Sequence, residues 1–258
     1  MSESPQGGRP YLSVVIPAYN EEARIGSSLA TVGGYLRAQG IEAEILVVDD
    51  GSTDGTRELV TQFLVDHPGR LLTNVENRGK GYAVRRGICE AAGRWVLVSD
   101  ADLSTPIEEH AKLAQAIRDH DLDMAIASRA LADSRIEIHQ NFLREWMGKV
   151  FNVLIRMTTR LRYRDTQCGF KLLDRERLRP IVDKMRVDGF AFDVELLFIC
   201  DRFKLRVEEI PVLWRNDPDT TVGLITDPLR MLIDLARIRW RFRRGLYNPP
   251  EDGAQDAG

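Results

Sequence analysis

The sequence predicts an α/β protein whose mostly parallel sheet is covered by helices on both faces. Short apolar runs alternate with amphipathic segments up to about residue 128, which is the pattern of strand–helix–strand units. Four of these runs are apolar throughout, as is typical of strands buried on both faces. The 258 residues are 43% hydrophobic and 29% charged, a composition that suits one large α/β domain or two small ones.

Each element of this alternation has its own signal. The predicted strands are "YLSVVIPAY", "AEILVVDD", "RLLTNVE", "RWVLVSDAD" and "LDMAIASR". The first helix has apolar residues at helical spacing from Ile25 to Leu36 and ends at Gly40. Further helices are predicted in "TDGTRELVTQFLVDH", "KGYAVRRGICEAA" and "PIEEHAKLAQAIRDH", the last with Pro106 in its first turn. After about residue 130 longer helices are predicted, joined by "RYRDTQCGFKLL" and "GFAFDVELL".

Composition excludes several classes of protein. The net charge of −3 does not favour nucleic acid as a partner. Three widely spaced cysteines without a CxxC pair indicate neither a disulfide framework nor a zinc site, and they fit a reducing cytosol. No apolar run reaches the roughly 18 residues of a membrane span. Residues 1–10 and 246–258 are polar and rich in Gly or Pro, so we expect a disordered leader and tail around one domain at 11–245.

Carboxylates and glycines gather where the predicted strands end, in "PAYNEE", "DDGSTDG" and "SDADLSTP". Ligands of such sheets bind at the carboxyl ends of the strands. Asp100 and Asp102 are two residues apart, so both can face one ligand, and their oxygens suit Mg²⁺ or Mn²⁺ bridged to a diphosphate. The alternative is a turn whose aspartate caps the helix that begins near Pro106.

Two further stretches have two interpretations each. In "VVDDGSTDG", Asp49 and Asp50 end a strand, and Thr53 or Asp54 is a candidate cap for the next helix. Paired aspartates also occur in phosphoacceptor receiver domains, but no receiver-like lysine follows the last strand. In "NRGKGYAVRRG", the Gly-rich turn and Lys80 either bind a phosphate or only begin a helix.

The order and separation of these motifs are more specific than any one of them. "VVIPAYNEE", "ILVVDDGSTDGT", "NRGKGYAVRRG" and "VSDADLSTP" together resemble the nucleotide-sugar-binding half of glycosyltransferase family 2. The later "ASRAL", "RDTQCGFKLL" and "FAFDVELL" resemble the dolichyl-phosphate β-glucosyltransferase branch of that family. The resemblance implies a single GT-A domain with a Rossmann-like sheet, a nucleotide-sugar-binding half at 11–130 and an acceptor half at 131–245.

The resemblance also implies roles for individual residues around the nucleotide. Pro17 lies near it, Tyr19 stacks on the base, and Glu21 accepts from base or ribose hydroxyls. Asp50 is expected to accept from the base N–H, with Val48 behind it. Uracil and guanine both carry such an N–H, so Asp50 does not distinguish UDP from GDP.

For the diphosphate, the resemblance matches Asp100, Ala101 and Asp102 to the donor-binding DxD. Asp102 is the implied metal ligand, and Asp100 lies nearer the ribose or a metal-bound water. Mg²⁺ or Mn²⁺ there neutralises the leaving nucleoside diphosphate. Ser104 stands where mannosyl-transferring relatives often have Gln, which weakens a mannose assignment.

Two arginines are implied to face phosphates of the donor or of a lipid acceptor: Arg129 after the last strand and Arg144 at the start of a long helix. Relatives also tend to carry a Ser-Lys pair near "NDPDTTVGL". This chain has Thr220 and Thr221 without a lysine, and Arg215 is a conjectural replacement.

The implied mechanism is an inverting, in-line displacement at the anomeric carbon. A lipid monophosphate is already ionised near pH 7, because its second pKa is about 6, so it needs no general base. For a hydroxyl acceptor, Asp193 is the first candidate base and Asp165 the second. Their structural alternatives are a helix cap for Asp193 and pairing with an arginine for Asp165.

Two amphipathic helices are candidates for contact with a membrane surface. "NFLREWMGKVFNVLIRMTTRL" places an apolar stripe from Phe142 to Leu161 away from its basic residues. The last helix has two apolar stripes, one of Leu229, Leu232, Ile233, Ala236 and Trp240, and one of Met231, Leu235, Ile238 and Phe242. Arg230, Arg237, Arg241 and Arg244 are expected together between them. One stripe faces the domain; the other faces the bilayer, a dimer mate or a membrane subunit.

These observations together predict a glucosyltransferase that uses UDP-glucose and a polyprenyl or dolichyl phosphate. We expect it in the cytoplasm, peripheral on the cytosolic membrane face. The same chemistry with GDP-mannose, and a non-catalytic nucleotide-sugar-binding protein, are the alternatives.

Overall fold

A computed structural model describes residues 9–138, 152–153, 155–215 and 226–248. Nine strands lie within these ranges: β1 (Leu12–Ala18), β2 (Ala43–Asp49), β3 (Gly69–Thr73), β4 (Trp95–Val98), β5 (Met124–Ser128), β6 (Arg135–Ile138), β7 (Lys171–Asp174), β8 (Val207–Pro211) and β9 (Leu213–Arg215). The helices with defined bounds are α1 (Ile25–Ala38), α2 (Thr56–Leu64), α3 (Lys80–Glu90), α4 (His110–His120), α5 (Arg175–Val182), α6 (Phe192–Arg202) and α7 (Thr226–Arg243).

Within the described ranges, seven of the strands form one sheet in the order β3-β2-β1-β4-β7-β5-β8. All neighbours pair in parallel except β7, which is antiparallel to both β4 and β5. Strands β6 and β9 form a separate parallel pair. The prediction of a mostly parallel α/β sheet is therefore confirmed, and each predicted strand and helix before residue 130 is present.

Helices cover both faces of the large sheet, as predicted. One core cluster contains buried residues of α1, α2 and α4, such as Leu29, Val60 and Leu113. The other contains buried residues of α3, α5, α6 and α7, such as Val84, Leu196 and Leu235. Side chains of the central strands alternate between the two clusters, so the strands are apolar throughout.

The helix starts differ in detail from the predicted ones. Asp54 precedes α2 and accepts from the backbone N and the hydroxyl of Thr56, at 3.1 and 2.6 Å, while Gly55 occupies the cap position. Pro106 precedes a short 3₁₀ turn at Ile107–Glu109, which leads into α4.

The described part of the second half differs from the prediction, since "GFAFDVELL", predicted as a connection between helices, enters α6. "GFKLLD" contains β7, and "RVEEIPVLWR" contains β8 and β9. These strands were missed because β7 is only four residues long and begins with a lysine. Strand β8 is an edge strand with acidic residues at its centre. Because β7 lies between β4 and β5, the two predicted halves of the domain share one sheet.

The predicted carboxy-terminal boundary at residue 245 is too early. Tyr247 is completely buried and its ring packs edge-on against Phe198 of α6, with the ring centres 6.2 Å apart. Residues 249–258 and 1–8 lie outside the described residues. So does most of the predicted helix from Asn141 to Leu161, including the greater part of its apolar stripe.

Helix α7 has the two faces that the sequence predicts. Met231, Leu235 and Ile238 are buried against the domain, whereas the other apolar stripe is exposed. The exposed side chains are Leu229, Leu232, Ile233 and Trp240.

We predict that Leu235→Ala destabilises the protein by about 2–5 kcal/mol, because it removes a fully packed side chain and leaves a cavity. The matched control is Leu232→Ala on the exposed face, which should change stability by no more than about 0.5 kcal/mol. Urea denaturation followed by circular dichroism measures both. Equal losses in the two variants would contradict the assignment of the faces.

Candidate active site

The strand ends that carry the candidate residues meet at one edge of the sheet. Strands β1, β2, β4 and β5 run in the same direction, since β4 and β5 are both antiparallel to β7. Pro17 and Val48 are buried register partners at this edge. Because β7 runs the other way, its first residue, Lys171, also lies at this edge, beside Val98 and Ile126.

The loop after β4 holds the predicted DxD residues, and α3 supplies a cation to it. Lys80 Nζ, on the first residue of α3, lies 2.6 Å from Asp100 Oδ1. Asp102 Oδ1 accepts from the backbone N of Ser104 at 2.9 Å, and Ala101 between the two aspartates is buried. The predicted Lys80, Asp100 and Asp102 are therefore brought together.

The charges of this loop perturb one another. Burial raises the pKa of Asp102, and the neighbouring Asp100 carboxylate raises it further. Burial also acts to raise the pKa of Asp100, but Lys80, together with Lys171 and Arg129, outweighs it and holds that pKa below its usual value. Although burial opposes it, the pKa of Lys80 is raised by the carboxylates of Asp100 and Asp193. The lysine is thus held as a cation beside two interacting carboxylates.

A second, more deeply buried ion pair lies beside the first. Lys171 Nζ is 2.6 Å from Asp193 Oδ1, and both residues are at least 95% buried. Burial keeps the pKa of Asp193 above its usual value in spite of Lys171. Ala191 holds the cap position of α6 and Asp193 lies in its first turn, so the alternative of Asp193 as a helix cap is wrong.

Arg129, directly after β5, is fixed by Asp165. The carboxylate of Asp165 accepts from Arg129 Nε and Nη2 at 2.7 and 2.9 Å, which confirms that Asp165 pairs with an arginine. Although burial acts to raise it, the pKa of Asp165 falls to about 2 because of this guanidinium. Glu209 accepts from the backbone N of Asp165 at 2.8 Å and so orders the loop that carries it.

Asp50 anchors the Gly-rich turn that precedes α3. Its buried carboxylate accepts from Asn74 Nδ2 at 2.6 Å, from the backbone N of Arg78 at 3.1 Å and from the backbone N of Gly79 at 2.7 Å. A carboxylate has about four acceptor positions. Because the backbone N of Arg78 donates to both oxygens, these three donors make four contacts. Contact with a base N–H would therefore replace or share one of them.

The residues after β1 remain at the same edge. Tyr19 is 41% exposed, which leaves its ring accessible for stacking. The backbone N of Glu21 donates to Thr56 Oγ1 at 2.8 Å. The carboxylate of Glu21 accepts from Arg24 Nη2 at 3.1 Å. Glu21 is thus held by α1 and α2 next to the strand ends.

Some predicted residues are not brought to this site by the described structure. Arg144, Thr220 and Thr221 lie outside the described residues. Arg215 pairs through Nε with Glu137 Oε2 at 2.7 Å, and both side chains are about half exposed. This pairing gives no support to Arg215 as a replacement for the missing lysine.

Two residues of the site were missed by sequence reasoning. A side chain at Gly169 would place its Cβ 2.6 Å from Asp100 Cγ and closer still to the carboxylate oxygens, so any larger residue here would have to displace that carboxylate. Lys171 was also missed. The signal in both cases was "CGFKLL", in which a lysine interrupts an apolar run.

The donor set of this loop fits a divalent cation bound together with phosphate oxygens. Asp100 and Asp102 offer carboxylate oxygens close enough to raise the pKa of Asp102, and a cation between them would relieve that repulsion. Mg²⁺ commonly binds to one or two carboxylates and to substrate phosphates. Among the described residues, no group of three or more His, Cys, Asp or Glu side chains forms a ready-made metal site.

A mostly parallel sheet with an acidic loop, a Gly-rich turn and basic side chains at its carboxyl edge is the arrangement of a GT-A glycosyltransferase. The chain belongs to Glycosyl transferase family 2, whose family model matches residues 13–182. The family predicted from the sequence motifs is thus confirmed.

Curated relatives place the chain more narrowly. It is 34% identical to a dolichyl-phosphate beta-glucosyltransferase of Dictyostelium discoideum over 92% of this chain and 76% of that protein. It is 34% identical to the Homo sapiens enzyme of the same name, over 92% and 77%. The Saccharomyces cerevisiae enzyme is 33% identical, over 92% and 76%. The predicted resemblance to this branch is confirmed.

Solved structures confirm the fold. Glucosyl-3-phosphoglycerate synthase from Mycobacterium tuberculosis in complex with UDP has a TM-score of 0.66 to this chain at 20% identity, covering 90% of this chain and 81% of that one. The same enzyme in complex with Mn²⁺ and UDP-glucose has a TM-score of 0.65 at 19% identity, covering 90% and 79%.

We predict that Gly169→Ala displaces the Asp100 carboxylate from Lys80 and weakens Mn²⁺-dependent binding of UDP, with a loss of turnover of about tenfold to hundredfold for a displacement near 1 Å. Isothermal titration measures the binding. Gly34→Ala is the matched control, because a Cβ at that exposed helical position meets nothing within 4 Å. Undiminished UDP binding by Gly169→Ala would show that the position of Asp100 is unimportant for the donor.

Proposed function

We propose that this family 2 glycosyltransferase transfers glucose from UDP-glucose to a polyprenyl or dolichyl phosphate with inversion at the anomeric carbon. The observation that carries the proposal is the Asp100–Lys80 pair beside Asp102 at the carboxyl edge of the sheet. The names of the relatives, at 33–34% identity over 92% of the chain, support the sugar and the lipid acceptor. The complexes of the structural neighbour support UDP-glucose as the donor and Mn²⁺ as the cation.

The reaction is a single displacement. A phosphate oxygen of the acceptor attacks the anomeric carbon, the bond between that carbon and the diphosphate oxygen breaks, and UDP leaves. The acceptor is already an anion near pH 7, since its second pKa is about 6. This agrees with the burial of Asp193 against Lys171, which leaves that carboxylate engaged with a lysine and not needed as a base.

The chain's own residues contribute positioning and charge. Lys80 is held as a cation at the start of α3 by Asp100, next to where a donor diphosphate would lie. Arg129 is held by two hydrogen bonds to Asp165, and its side chain is 31% exposed, so it can still donate to a phosphate. Both cations are in place before substrate binds, so little reorganisation is needed during the reaction.

Asp102, with Asp100 beside it, would hold the divalent cation. When bound, Mg²⁺ or Mn²⁺ supplies positive charge that offsets the negative charge developing on the departing diphosphate.

The predicted alternatives differ in what they bind and convert. A GDP-mannose-dependent transferase would have the same chemistry, and a non-catalytic protein would bind nucleotide sugar without turnover. The names of the relatives disfavour both.

We predict that the protein incorporates label from UDP-[¹⁴C]glucose, but not from GDP-[¹⁴C]mannose, into a short polyprenyl phosphate in the presence of Mn²⁺. The product is measured by solvent extraction, and mild acid should release labelled glucose. Asp102→Ala should lose at least about 10²-fold in turnover, the scale seen when one electrostatic stabiliser of a leaving group is removed, while its circular dichroism stays unchanged. Incorporation of mannose instead, or UDP binding without product, would overturn the proposal.

A lipid acceptor requires contact with a membrane surface, and we propose that the exposed face of α7 provides it. None of the helices within the described ranges is both long and apolar enough to span a bilayer. The outer face of α7 exposes Leu232, Ile233 and Trp240 by 41%, 48% and 55%. Arg237 on the same helix is 62% exposed, and the guanidinium of Arg244 lies 5.1 Å from the ring centre of Trp240. Apolar side chains beside arginines match an anionic lipid surface.

The basic flank of α7 differs from the predicted one. Arg241 turns inward, where its Nη1 lies 3.3 Å from Glu195 Oε1. It is therefore an internal partner of a buried carboxylate and not a candidate for lipid headgroups. Arg237 pairs with Asp234 at 3.0 Å but remains largely exposed.

We predict that Leu232→Glu/Trp240→Glu reduces flotation with vesicles containing anionic lipid by about tenfold or more, because it places two like charges in the apolar contact. Val65→Glu/Val75→Glu is the matched control, since it changes two exposed valines elsewhere in the chain. Flotation of the α7 variant equal to wild type would contradict membrane contact. A concentration-dependent dimer that the same substitutions abolish would identify a second copy as the partner.

A further inference from the structure

A single buried carboxylate, that of Glu195 on α6, joins the carboxy-terminal segment to the loop before α6. Glu195 is fully buried. Its Oε2 accepts from the backbone N of both Arg186 and Val187, each at 2.8 Å. Its Oε1 accepts from the hydroxyl of Tyr247 at 2.5 Å and from Arg241 Nη1 at 3.3 Å. One oxygen therefore serves the loop and the other serves the carboxy-terminal segment.

The loop that Glu195 holds is pressed against the Gly-rich turn. The backbone N of Tyr82 donates to the carbonyl of Asp188 at 3.2 Å, and Arg85 Nη2 donates to the carboxylate of Asp188 at 2.8 Å. A Cβ at Gly81 would lie only 2.5 Å from the carbonyl oxygen of Val187. The backbones of residues 186–189 and of the start of α3 are therefore in direct contact.

The start of α3 is also where the donor site takes its lysine. Lys80 lies between Gly79 and Gly81, and its ammonium pairs with Asp100 at 2.6 Å. On the other side, Gly79 is held by Asp50. A shift of residues 186–189 would thus remove the support on one side of Lys80 while the support from Asp50 remained.

The carboxy-terminal end of this chain of contacts is well defined. Tyr247 is completely buried. Its pKa is raised by burial and by the Glu195 carboxylate, so the phenol stays protonated and can donate. Helix α7 reaches the same loop through Asp234, whose carboxylate lies 3.5 Å from the position that a Cβ of Gly189 would occupy.

We propose that Glu195 is a positioning residue for the donor site, through which the carboxy-terminal segment holds residues 186–189 against the turn that carries Lys80. The inference rests on the proposed use of a UDP-sugar. Neither Glu195 nor Tyr247 touches substrate; each acts through the loop. The carboxy-terminal segment thereby contributes to donor affinity as well as to contact with the acceptor's surface.

Two variants weaken the Oε1 side of the carboxylate to different degrees and leave an acceptor for the loop. Tyr247→Phe removes one donor to Oε1 and leaves the loop contacts. Glu195→Gln keeps one acceptor oxygen for the backbone N–H groups but replaces the other oxygen with a donor that cannot serve Arg241. Both variants weaken the connection to the carboxy-terminal segment, and the milder Tyr247→Phe remains informative if Glu195→Gln does not fold.

The test is the affinity for UDP with Mn²⁺, measured by isothermal titration well below the unfolding temperature of each variant. We expect both variants to bind UDP about three- to tenfold more weakly. Each variant loses one charge-assisted hydrogen bond, and we expect part of that lost energy to appear as weaker UDP binding. The double variant should bind UDP no more weakly than Glu195→Gln does, since Glu195 and Tyr247 act through the same series of contacts. In hydrogen–deuterium exchange, the amides of residues 79–82 should exchange faster in the variants without any ligand.

Tyr35→Phe is the matched control. It also loses a hydroxyl hydrogen bond, to His110 Nδ1 at 3.1 Å, but it lies on α1 in the other core cluster. It should keep wild-type UDP affinity even where its unfolding temperature falls.

Variants of Glu195 and Tyr247 with lowered unfolding temperature but unchanged UDP affinity would show a purely structural role and overturn this inference alone. Failure of the wild-type protein itself to bind UDP would overturn the proposed function together with it.

Discussion

The arrangement of the site depends on the ion pair between Lys80 and Asp100, which joins the start of α3 to the loop after β4. Asp100 and Asp102 follow the same strand end, and each carboxylate disfavours ionisation of the other. Lys80 offsets this repulsion and keeps Asp100 ionised. Because residue 169 is a glycine, no side chain displaces the Asp100 carboxylate from this position. The loop after β4 therefore holds the carboxylates of Asp100 and Asp102 close together, where a cation and a diphosphate can bind.

Several charged groups at this edge have protein partners of their own. Asp165 holds Arg129, the Gly-rich turn surrounds Asp50, and Lys171 neutralises Asp193. Such pairs prevent uncompensated charge in a partly buried site and fix side-chain orientation before substrate binds. Residue type and position in the motif do not reveal these protein partners: Asp50, predicted to contact the base, also anchors the turn.

Helix α7 combines two requirements in one element. Its inner face is part of the core around Leu235 and Ile238, and it approaches Glu195 through Arg241. Its outer face is apolar but exposed, with arginines beside it. An apolar face that the domain does not cover is costly in water, which is why we propose that this face contacts a lipid surface. The buried contacts explain why the helix can serve that surface without separating from the domain.

The sequence alone predicts the alternating strands and helices up to residue 128, the sheet edge at which the candidate site lies, and the residues Lys80, Asp100 and Asp102, because periodicity and strand-end chemistry are local properties of the chain. It also predicts that α7 has two apolar faces. Only contacts in the folded protein show that β7 inserts antiparallel between β4 and β5, which places Lys171 and Gly169 beside the candidate site. They also show that Arg241 and Tyr247 turn inward to Glu195. These outcomes depend on contacts between residues dozens of positions apart, and no local pattern of residues encodes which of several possible partners a buried charge will find.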